Sequence, residues 1–197
     1  MRVAARRNAS SQKELKMRNA FSYLSFLGIL LWFWSCKQET QITDDISNLI
    51  HNSSFETNGQ PTFQTWIADT TLARLVQDVP NGGGSWSLRL EPGWIPQEGF
   101  ARTYITGESG TGGYYLRVWT KSINRWRGSV TIGKWSGNTL TQTKSAYSDS
   151  SGWNYIALVD SLSLESGDSI GVHLSAGSTE LSNGAVLFDL ITLQRIR

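Results

Sequence analysis

The sequence predicts an all-β domain built as a sandwich of two antiparallel sheets, of the jelly-roll type. Three observations support this class. Short segments alternate between apolar and polar side chains, which is the period of a half-buried strand. Turn signals rich in Gly, Asn and Pro separate these segments, and no segment has a helical period. The 197 residues also include 19 Gly and nine Trp, a composition that suits many strands joined by tight turns.

The charge of the chain is uneven and excludes one class of function. The 18 basic and 16 acidic residues suggest a basic protein, but residues 1–35 hold six of the basic ones and a single acid. The 12 basic and 15 acidic residues that follow make the domain mildly acidic. Such a balance does not favour binding to nucleic acid.

The N-terminal segment has the pattern of an export signal. An apolar run of 14 residues, 21–34, follows Arg18 and is shorter than a membrane span. We expect residues 1–35 to be a signal peptide, with Met17 as a possible true start. Residues 36–48 form a polar tether, and residues 49–197 form the domain.

Cys36 is the only cysteine, so it cannot form an intrachain disulfide or a thiolate metal cluster. Its position after the apolar run and the small Ser35 resembles a bacterial lipoprotein signal, in which this cysteine carries the lipid. An uncleaved N-terminal anchor is the alternative. Either reading places the domain outside the cytoplasm beside a membrane, on the bacterial outer membrane or cell surface.

The domain opens at residues 49–56, and the alternation and turn signals then predict strands in order. These strands cover residues 62–67, 73–79, 85–91, 100–106, 112–122, 129–135, 153–159, 169–175 and 184–193. The last strand is apolar on both faces except at Asp189, which predicts a central or covered position.

The strand over residues 112–122 has two different faces. Its even-numbered side chains, Leu116 among them, are expected in the core. Tyr115, Arg117 and Trp119 then face outward, because side chains alternate across a strand.

The same alternation predicts whether several other residues face the core or the outside of the sandwich. Trp86, Leu88 and Leu90 are expected to point inward, and Trp66 and Trp153 to join the core. Arg89, Thr131, Trp135 and His173 are expected to face outward, and Trp94 and Trp126 to lie in loops.

The order of five motifs resembles a known family. The motifs are NSSFE (52–56), GGGSWSLRL (82–90), YYLRVWTKS (114–122), GDSIGVHL (167–174) and LFDLITL (187–193). Together they resemble the galactose-binding-like jelly roll, and within it the carbohydrate-binding modules of bacterial xylanases and cellulases. The resemblance covers residues 49–195. It departs from the family at Ser53, where members commonly carry Gly.

The resemblance implies a structural calcium ion and a sugar-binding surface. Glu56 matches the acid of the opening motif, and Asp189 that of the closing strand, so both are candidate calcium ligands. The alternative is that both carboxylates cap turns or accept backbone hydrogen bonds. The candidate sugar ligands are the aromatic and polar residues outside the expected core: Tyr115, Arg117, Trp119, Trp135, Arg89, Trp94 and His173.

No catalytic constellation is evident in the sequence. The segments GESG (107–110) and GDS (167–169) are better explained as turns than as nucleophile motifs, and His51 and His173 lack metal-ligand spacing. No pair of carboxylates typical of a glycosidase occurs on one strand. The sequence therefore favours a non-catalytic, lipid-anchored domain that binds polysaccharide. A structural or adhesive module that binds other surface proteins is the second hypothesis, and an unrecognised glycosidase is the third.

Overall fold

A computed structural model describes residues 47–91, 99–137, 139–177 and 184–196, which fall within a compact unit spanning Ile46–Arg197. These residues form strands and turns without a helix. Accordingly, this part of the chain contains no helix long and apolar enough to cross a membrane.

The described residues of the domain form twelve strands. They are β1 (Glu56–Thr57), β2 (Gln60–Pro61), β3 (Ile67–Ala68), β4 (Ala73–Val76), β5 (Ser87–Leu90), β6 (Gly99–Thr106), β7 (Gly110–Ile123), β8 (Arg127–Ser136), β9 (Thr139–Ser148), β10 (Asn154–Leu164), β11 (Ser169–Gly177) and β12 (Ala185–Ile196).

Ten of these strands form two five-stranded antiparallel sheets, and β1 pairs with β2 in a separate hairpin. One sheet has the order β10-β7-β12-β5-β4, and the other β3-β6-β11-β8-β9. The predicted two-sheet sandwich is confirmed. The apolar strand β12 lies between β7 and β5, as its two apolar faces predicted.

The core lies between the two sheets and is built from alternate residues of each strand. In one sheet it includes Leu116 and Val118 of β7, and in the other Ile132 of β8 and Val172 of β11, all fully buried. These are the parities expected from the sequence. Because every second side chain is used for the core, each sheet presents its remaining side chains on an outer face.

One long strand was absent from the sequence prediction. Strand β9 has the sequence TLTQTKSAYS and pairs with β8 at the edge of its sheet. Its side chains are nearly all exposed or half-buried, so it carries no apolar alternation that could reveal it. In the opposite direction, the strand expected over residues 62–67 is reduced to the two residues of β3.

A β-bulge in β12 resets the alternation of that strand. The register with β7 shifts between Asp189 and Thr192, and Leu190 has a positive φ of 47°. Phe188 and Ile191 can therefore both enter the core although they are three residues apart. Asp189 remains on the outer side, opposite Trp119 of β7.

The expected burial of Trp86 and Trp153 in the core is wrong, and that of Trp66 is confirmed. Trp86 is half-buried outside the core because β5 begins only at Ser87, so strand parity does not extend to it. Trp153 precedes β10, is half-buried, and donates its indole N–H to Asp78 Oδ1 at 3.0 Å. Trp126 lies in the loop between β7 and β8, as expected, but it is 4% exposed and belongs to the core, where its ring packs against Gly184.

Candidate functional site

The candidate ligand residues lie on two different faces of the sandwich. We call the outer face of the sheet β3-β6-β11-β8-β9 the β11 face, and the outer face of the other sheet the β7 face. Trp135 and His173 lie on the β11 face, whereas Tyr115, Arg117 and Trp119 lie on the β7 face. The structure therefore does not bring all the predicted residues into one site.

Register across three strands assembles the β11 face. Arg102 of β6 is opposite His173 of β11, which is opposite Thr131 of β8. In the next row, Tyr104 is opposite Gly171, which is opposite Gly133. Since opposite residues of antiparallel strands point to the same side, these six residues share one surface.

A depression of about 290 Å³ lies on this face. The rings of Tyr104 and Trp135 border it, with their centroids 4.6 Å apart and their planes 37° from parallel. Gly171 also lines the depression and is buried, and a Cβ added to it would lie 2.7 Å from Leu140 Cδ1, so the Leu140 side chain occupies the space that a side chain at Gly171 would take. Leu140 of the edge strand β9 also lines the depression.

Arg102 is held at the centre of an aromatic cluster. Its guanidinium carbon lies 5.3 Å from the centroid of Phe100, 5.5 Å from that of Trp135 and 5.8 Å from that of Tyr104. These distances are those of cation–π contacts, so the rings fix the position of the charge.

Two buried polar atoms of this cluster have no hydrogen-bond partner within the described part of the chain. They are Arg102 Nε and Tyr104 Oη. Burial raises the pKa of Tyr104, and the positive charge of Arg102 opposes that rise. Buried polar atoms are nearly always hydrogen-bonded, so this pair marks a place where a polar ligand would improve the bonding.

Phe100, Arg102 and Tyr104 were not predicted from the sequence as ligand residues. Strand β6 was predicted over residues 100–106, but neither of its faces was assigned. The sequence contains a signal for them, which is their alternation with Ala101 and Thr103. The structure shows that both of these residues are buried. Parity along β6 could have placed them on an outer face, although not beside Trp135.

The β7 face carries the aromatic residues that the sequence favoured. Trp119 is half-buried, and its ring centroid is 5.8 Å from that of Tyr155 on β10. Tyr155 is 52% exposed and Val159 of the same strand 51%. Arg117 is exposed between Tyr115 and Trp119, as its parity predicted.

Arg89 lies on the β7 face in an ion-pair cluster. Its Nε donates to Glu91 Oε1 at 2.9 Å, and Arg74 of β4 contacts the same oxygen. Burial lowers the pKa of Arg89, and the neighbouring charge of Arg74 lowers it further. With Glu91 already occupying its guanidinium, Arg89 has a partner within the protein.

The two predicted metal ligands, Glu56 and Asp189, come close together at a glycine turn. A Cβ added to Gly84 would lie 1.9 Å from Glu56 Oε1, and one added to Gly83 would lie 2.6 Å from Asp189 Oδ2. Because Gly83 and Gly84 have no side chains, the turn has room for both carboxylates. A side chain at either position would clash with one of them. Glu56 Oε2 accepts a hydrogen bond from the Ser85 backbone N–H at 2.6 Å.

Asp189 is fully buried, and its Oδ2 has no partner among the described residues. Burial raises the pKa of Asp189 to about 7; the Leu190 N–H opposes this rise, and the nearby Glu56 carboxylate adds to it. Two converging carboxylates with an unbonded oxygen have the chemistry of a hard-cation site. No group of three His, Cys, Asp or Glu side chains occurs among the described residues, so backbone carbonyls would have to complete the six or more ligands of calcium.

Two of the predicted functional residues, Trp94 and Cys36, lie outside the described residues.

No family model matches the chain, and no curated protein matches it. Solved structures do. One is the enzymatically active domain of tailspike protein 4 from bacteriophage CBA120, with a TM-score of 0.58 and 17% identity over 76% of this chain. That match covers 21% of the tailspike chain, so this protein corresponds to about a fifth of it.

Two other matches are whole carbohydrate-binding modules. A family 61 module solved with β-1,4-galactotriose has a TM-score of 0.51 and 18% identity, covering 76% of this chain and 99% of the module. A family 16 module has a TM-score of 0.51 and 19% identity, covering 74% and 99%. At these identities the likeness concerns the fold. The domain has the jelly-roll β-sandwich fold of these carbohydrate-binding modules.

Proposed function

We propose that this domain binds polysaccharide without catalysis, and that the β11 face is its binding surface. The observation that carries the proposal is the depression bordered by the Tyr104 and Trp135 rings, with Arg102 beside both rings. Sugar rings present apolar C–H faces that stack on aromatic rings, while their hydroxyl groups need donors and acceptors. The depression offers both kinds of contact side by side. The fold shared with carbohydrate-binding modules supports the same reading.

A paired mutation tests which face binds. We expect Trp135→Ala to weaken binding to a polysaccharide panel by about tenfold or more, because it removes one stacking ring. Trp119→Ala serves as the matched control, since it removes the same side chain from the opposite face. Affinity electrophoresis measures the binding, and thermal unfolding checks that both variants fold. The reverse pattern would move the site to the β7 face, as the sequence first suggested.

A second candidate function is a structural or adhesive module that binds a protein partner. The observation in its favour is the pair of exposed apolar residues on the β7 face, where Tyr155 lies beside Trp119 and Val159 lies opposite Tyr115. This reading predicts that the wild-type protein binds no polysaccharide of the panel. It also predicts that Tyr155→Ser, rather than Trp135→Ala, disrupts its cell-surface complex.

We further propose that one calcium ion stabilises the domain at Glu56 and Asp189. The ion would neutralise the two converging carboxylates and bond the unpartnered Asp189 Oδ2. Adding calcium to chelated protein should then raise the melting temperature, and Glu56→Gln should abolish this rise. A melting temperature that is the same with chelator and with calcium would contradict the proposal.

The domain is proposed to be held at the membrane by lipid on Cys36, with residues 37–48 as the tether. Mass spectrometry of the mature N-terminus tests this directly, and Cys36→Ala should release the protein from membranes. An N-terminus that begins at an unmodified Met1 or Met17 would show that the signal is not processed in this way.

A further inference from the structure

The β11 face carries positive charge and, among its described residues, no acidic side chain. The register of β6, β11, β8 and β9 places Arg102 and Arg127 on this surface. None of the other described side chains of these strands on the same side is Lys, Arg, Asp or Glu. This is unexpected in a domain whose acidic residues outnumber the basic ones after residue 35.

The two arginines of the β11 face differ from several basic residues elsewhere that are paired with carboxylates. Lys121 pairs with Asp78 at 2.7 Å, Lys134 with Asp168 at 3.0 Å, and Arg89 with Glu91. In contrast, no carboxylate within the described ranges lies at ion-pair distance from Arg102 or Arg127. Their counter-charge is therefore not supplied by this part of the chain.

The surroundings of Arg102 are suited to binding a ligand, unlike those of an exposed charge that only adds solubility. Three rings surround its guanidinium at 5.3 to 5.8 Å, so little side-chain freedom is left to lose when a ligand binds. A guanidinium presents a planar fork of N–H donors that matches the two oxygens of a carboxylate or sulfate. Arg102 lines the depression together with Tyr104 and Trp135, so its N–H donors lie beside the two rings on which a sugar would stack.

Arg127 extends the positive charge along the face. It lies four residues before Thr131 on β8, hence roughly 13 Å along the strand from the row of Arg102. Its guanidinium carbon is 5.9 Å from the ring centroid of Tyr147. The contact between Arg127 and Tyr147 is therefore of the same kind as the contacts of Arg102 with the rings at the depression. It lies at a second position on the same face.

We propose that the ligand of the β11 face is an anionic polysaccharide, one whose sugars carry carboxylate or sulfate groups. This inference rests on the proposed function and specifies its substrate class. The sugar ring stacks on Trp135 and Tyr104, and its acidic group pairs with Arg102. Arg127 meets a second acidic group of the same polymer.

The test compares polymers that differ in charge but share a backbone. Polygalacturonate is paired with its methyl ester, and dextran sulfate with dextran, each titrated against the detergent-solubilised full chain. We expect the charged member of at least one pair to bind about tenfold to a hundredfold more tightly, the range of a charge-assisted hydrogen bond. That advantage should shrink between about 0.01 M and about 1 M salt, because salt screens exposed charges. The pair that responds identifies the anion.

Three variants test which arginine produces the preference for the charged polymer. Arg102→Gln should remove most of the preference for the charged polymer, and Arg127→Gln should reduce it without touching the depression. Arg117→Gln is the matched control, because Arg117 is exposed on the β7 face. Thermal unfolding accompanies each titration, and the exposed Arg127 provides a variant that does not depend on the packing of Arg102.

The outcomes separate this inference from the proposed function. Neutral members that bind as tightly as charged ones in both pairs would overturn the anionic ligand and leave polysaccharide binding standing. A charge preference that survives both Arg102→Gln and Arg127→Gln would also overturn it. A wild-type chain that binds none of the four polymers counts against the proposed function and the inference together.

Discussion

At the scale of single residues, the domain places polar atoms where the protein itself does not bond them. Tyr104 Oη, Arg102 Nε and Asp189 Oδ2 are buried without partners in the described chain. Each lies at a candidate ligand site rather than in the core between the sheets. Buried polar atoms of this kind cost stability in the free protein, and a ligand that bonds them recovers the cost.

The hydroxyl group of Tyr104 can be tested apart from its ring. Tyr104→Phe keeps the stacking surface and removes the unbonded oxygen. We expect the free energy of unfolding to stay unchanged or to rise by up to about 1 kcal/mol, while affinity for polysaccharide falls roughly two- to tenfold. Urea unfolding and titration calorimetry measure the two effects. A substantial loss of stability would show that the hydroxyl group is bonded in the free protein.

The carboxyl group of Asp189 predicts an unusual dependence on pH in chelated protein. Its folded pKa of about 7 lies above the ordinary value of 3.8, so the folded state binds more protons than the unfolded state between these two values. Stability should therefore fall as pH rises from about 4 to about 7, by at most on the order of 4 kcal/mol. At pH 8 with chelator, Asp189→Asn should be more stable than the wild type.

Urea unfolding at pH 5 and pH 8 measures this difference, with the exposed Asp149→Asn as the control. Added calcium should reverse the order at pH 8, because the metal requires the ionised carboxylate. Equal stability of the variant and the wild type at pH 8 under chelation would contradict the pH prediction.

At the scale of elements, the loop between β4 and β5 is tied to two strands by Asp78. Its Oδ2 accepts from Lys121 Nζ of β7 at 2.7 Å, and its Oδ1 from the Trp153 indole N–H before β10 at 3.0 Å. Its backbone carbonyl accepts from Ser87 Oγ of β5 at 2.6 Å. This loop leads into the turn of Gly83 and Gly84, so Asp78 also positions the candidate metal site.

Removing the Asp78 side chain should destabilise the domain by about 1 to 2 kcal/mol, since both of its contacts are partly exposed. Asp78→Asn keeps an acceptor for Trp153 and should lose less than Asp78→Ala. Burial opposes ionisation of Asp78, but hydrogen bonds from Lys121 and Trp153 outweigh it and hold its pKa below the ordinary value. The stabilisation is therefore present at neutral pH and is lost as pH falls below about 4.

Urea unfolding of the two Asp78 variants measures these losses. Asp149→Ala is the control, because it removes an exposed carboxylate that takes no part in the contacts of Asp78. Equal stability of Asp78→Ala and the wild type at neutral pH would mean that the loop is held by its other contacts alone.

At the scale of the whole molecule, the two outer faces offer different chemistry. The β11 face combines a depression, a ring pair and two arginines that pair with no described carboxylate, whereas the β7 face presents exposed apolar residues, the paired Arg89 and Lys121, and the exposed Arg117. The core that separates them runs from Ile50 to Leu193. Each face can therefore be changed by mutation without altering the other.

The domain should fold without the segment that precedes it. A chain that begins at Ile46 keeps the complete core and all twelve strands, and we expect it to unfold cooperatively with an unchanged melting temperature. A chain that ends at Gly184 is the matched comparison. It loses the central strand β12 and should not fold. Circular dichroism during heating distinguishes the two, and a non-cooperative transition of the first chain would contradict the expectation.

The sequence by itself determined the fold class and the identity of the core. Period-two alternation is a local property, so it assigned Leu88, Leu90 and Leu116 to the interior before any pairing was known. Alternation failed where the strand was polar throughout, as in β9, and where a residue lay just outside a strand, as with Trp86. It also could not reveal the bulge that brings both Phe188 and Ile191 into the core.

Only the tertiary structure decided which outward residues meet. Parity showed that Trp119 and Trp135 point away from the core, but it carries no information about which sheet each strand joins. The strand order places Arg102 and Tyr104 beside Trp135, about 30 residues later in the chain, and puts Trp119 on the opposite surface. A binding site is a set of long-range neighbours, and antiparallel pairing between strands distant in sequence creates those neighbours.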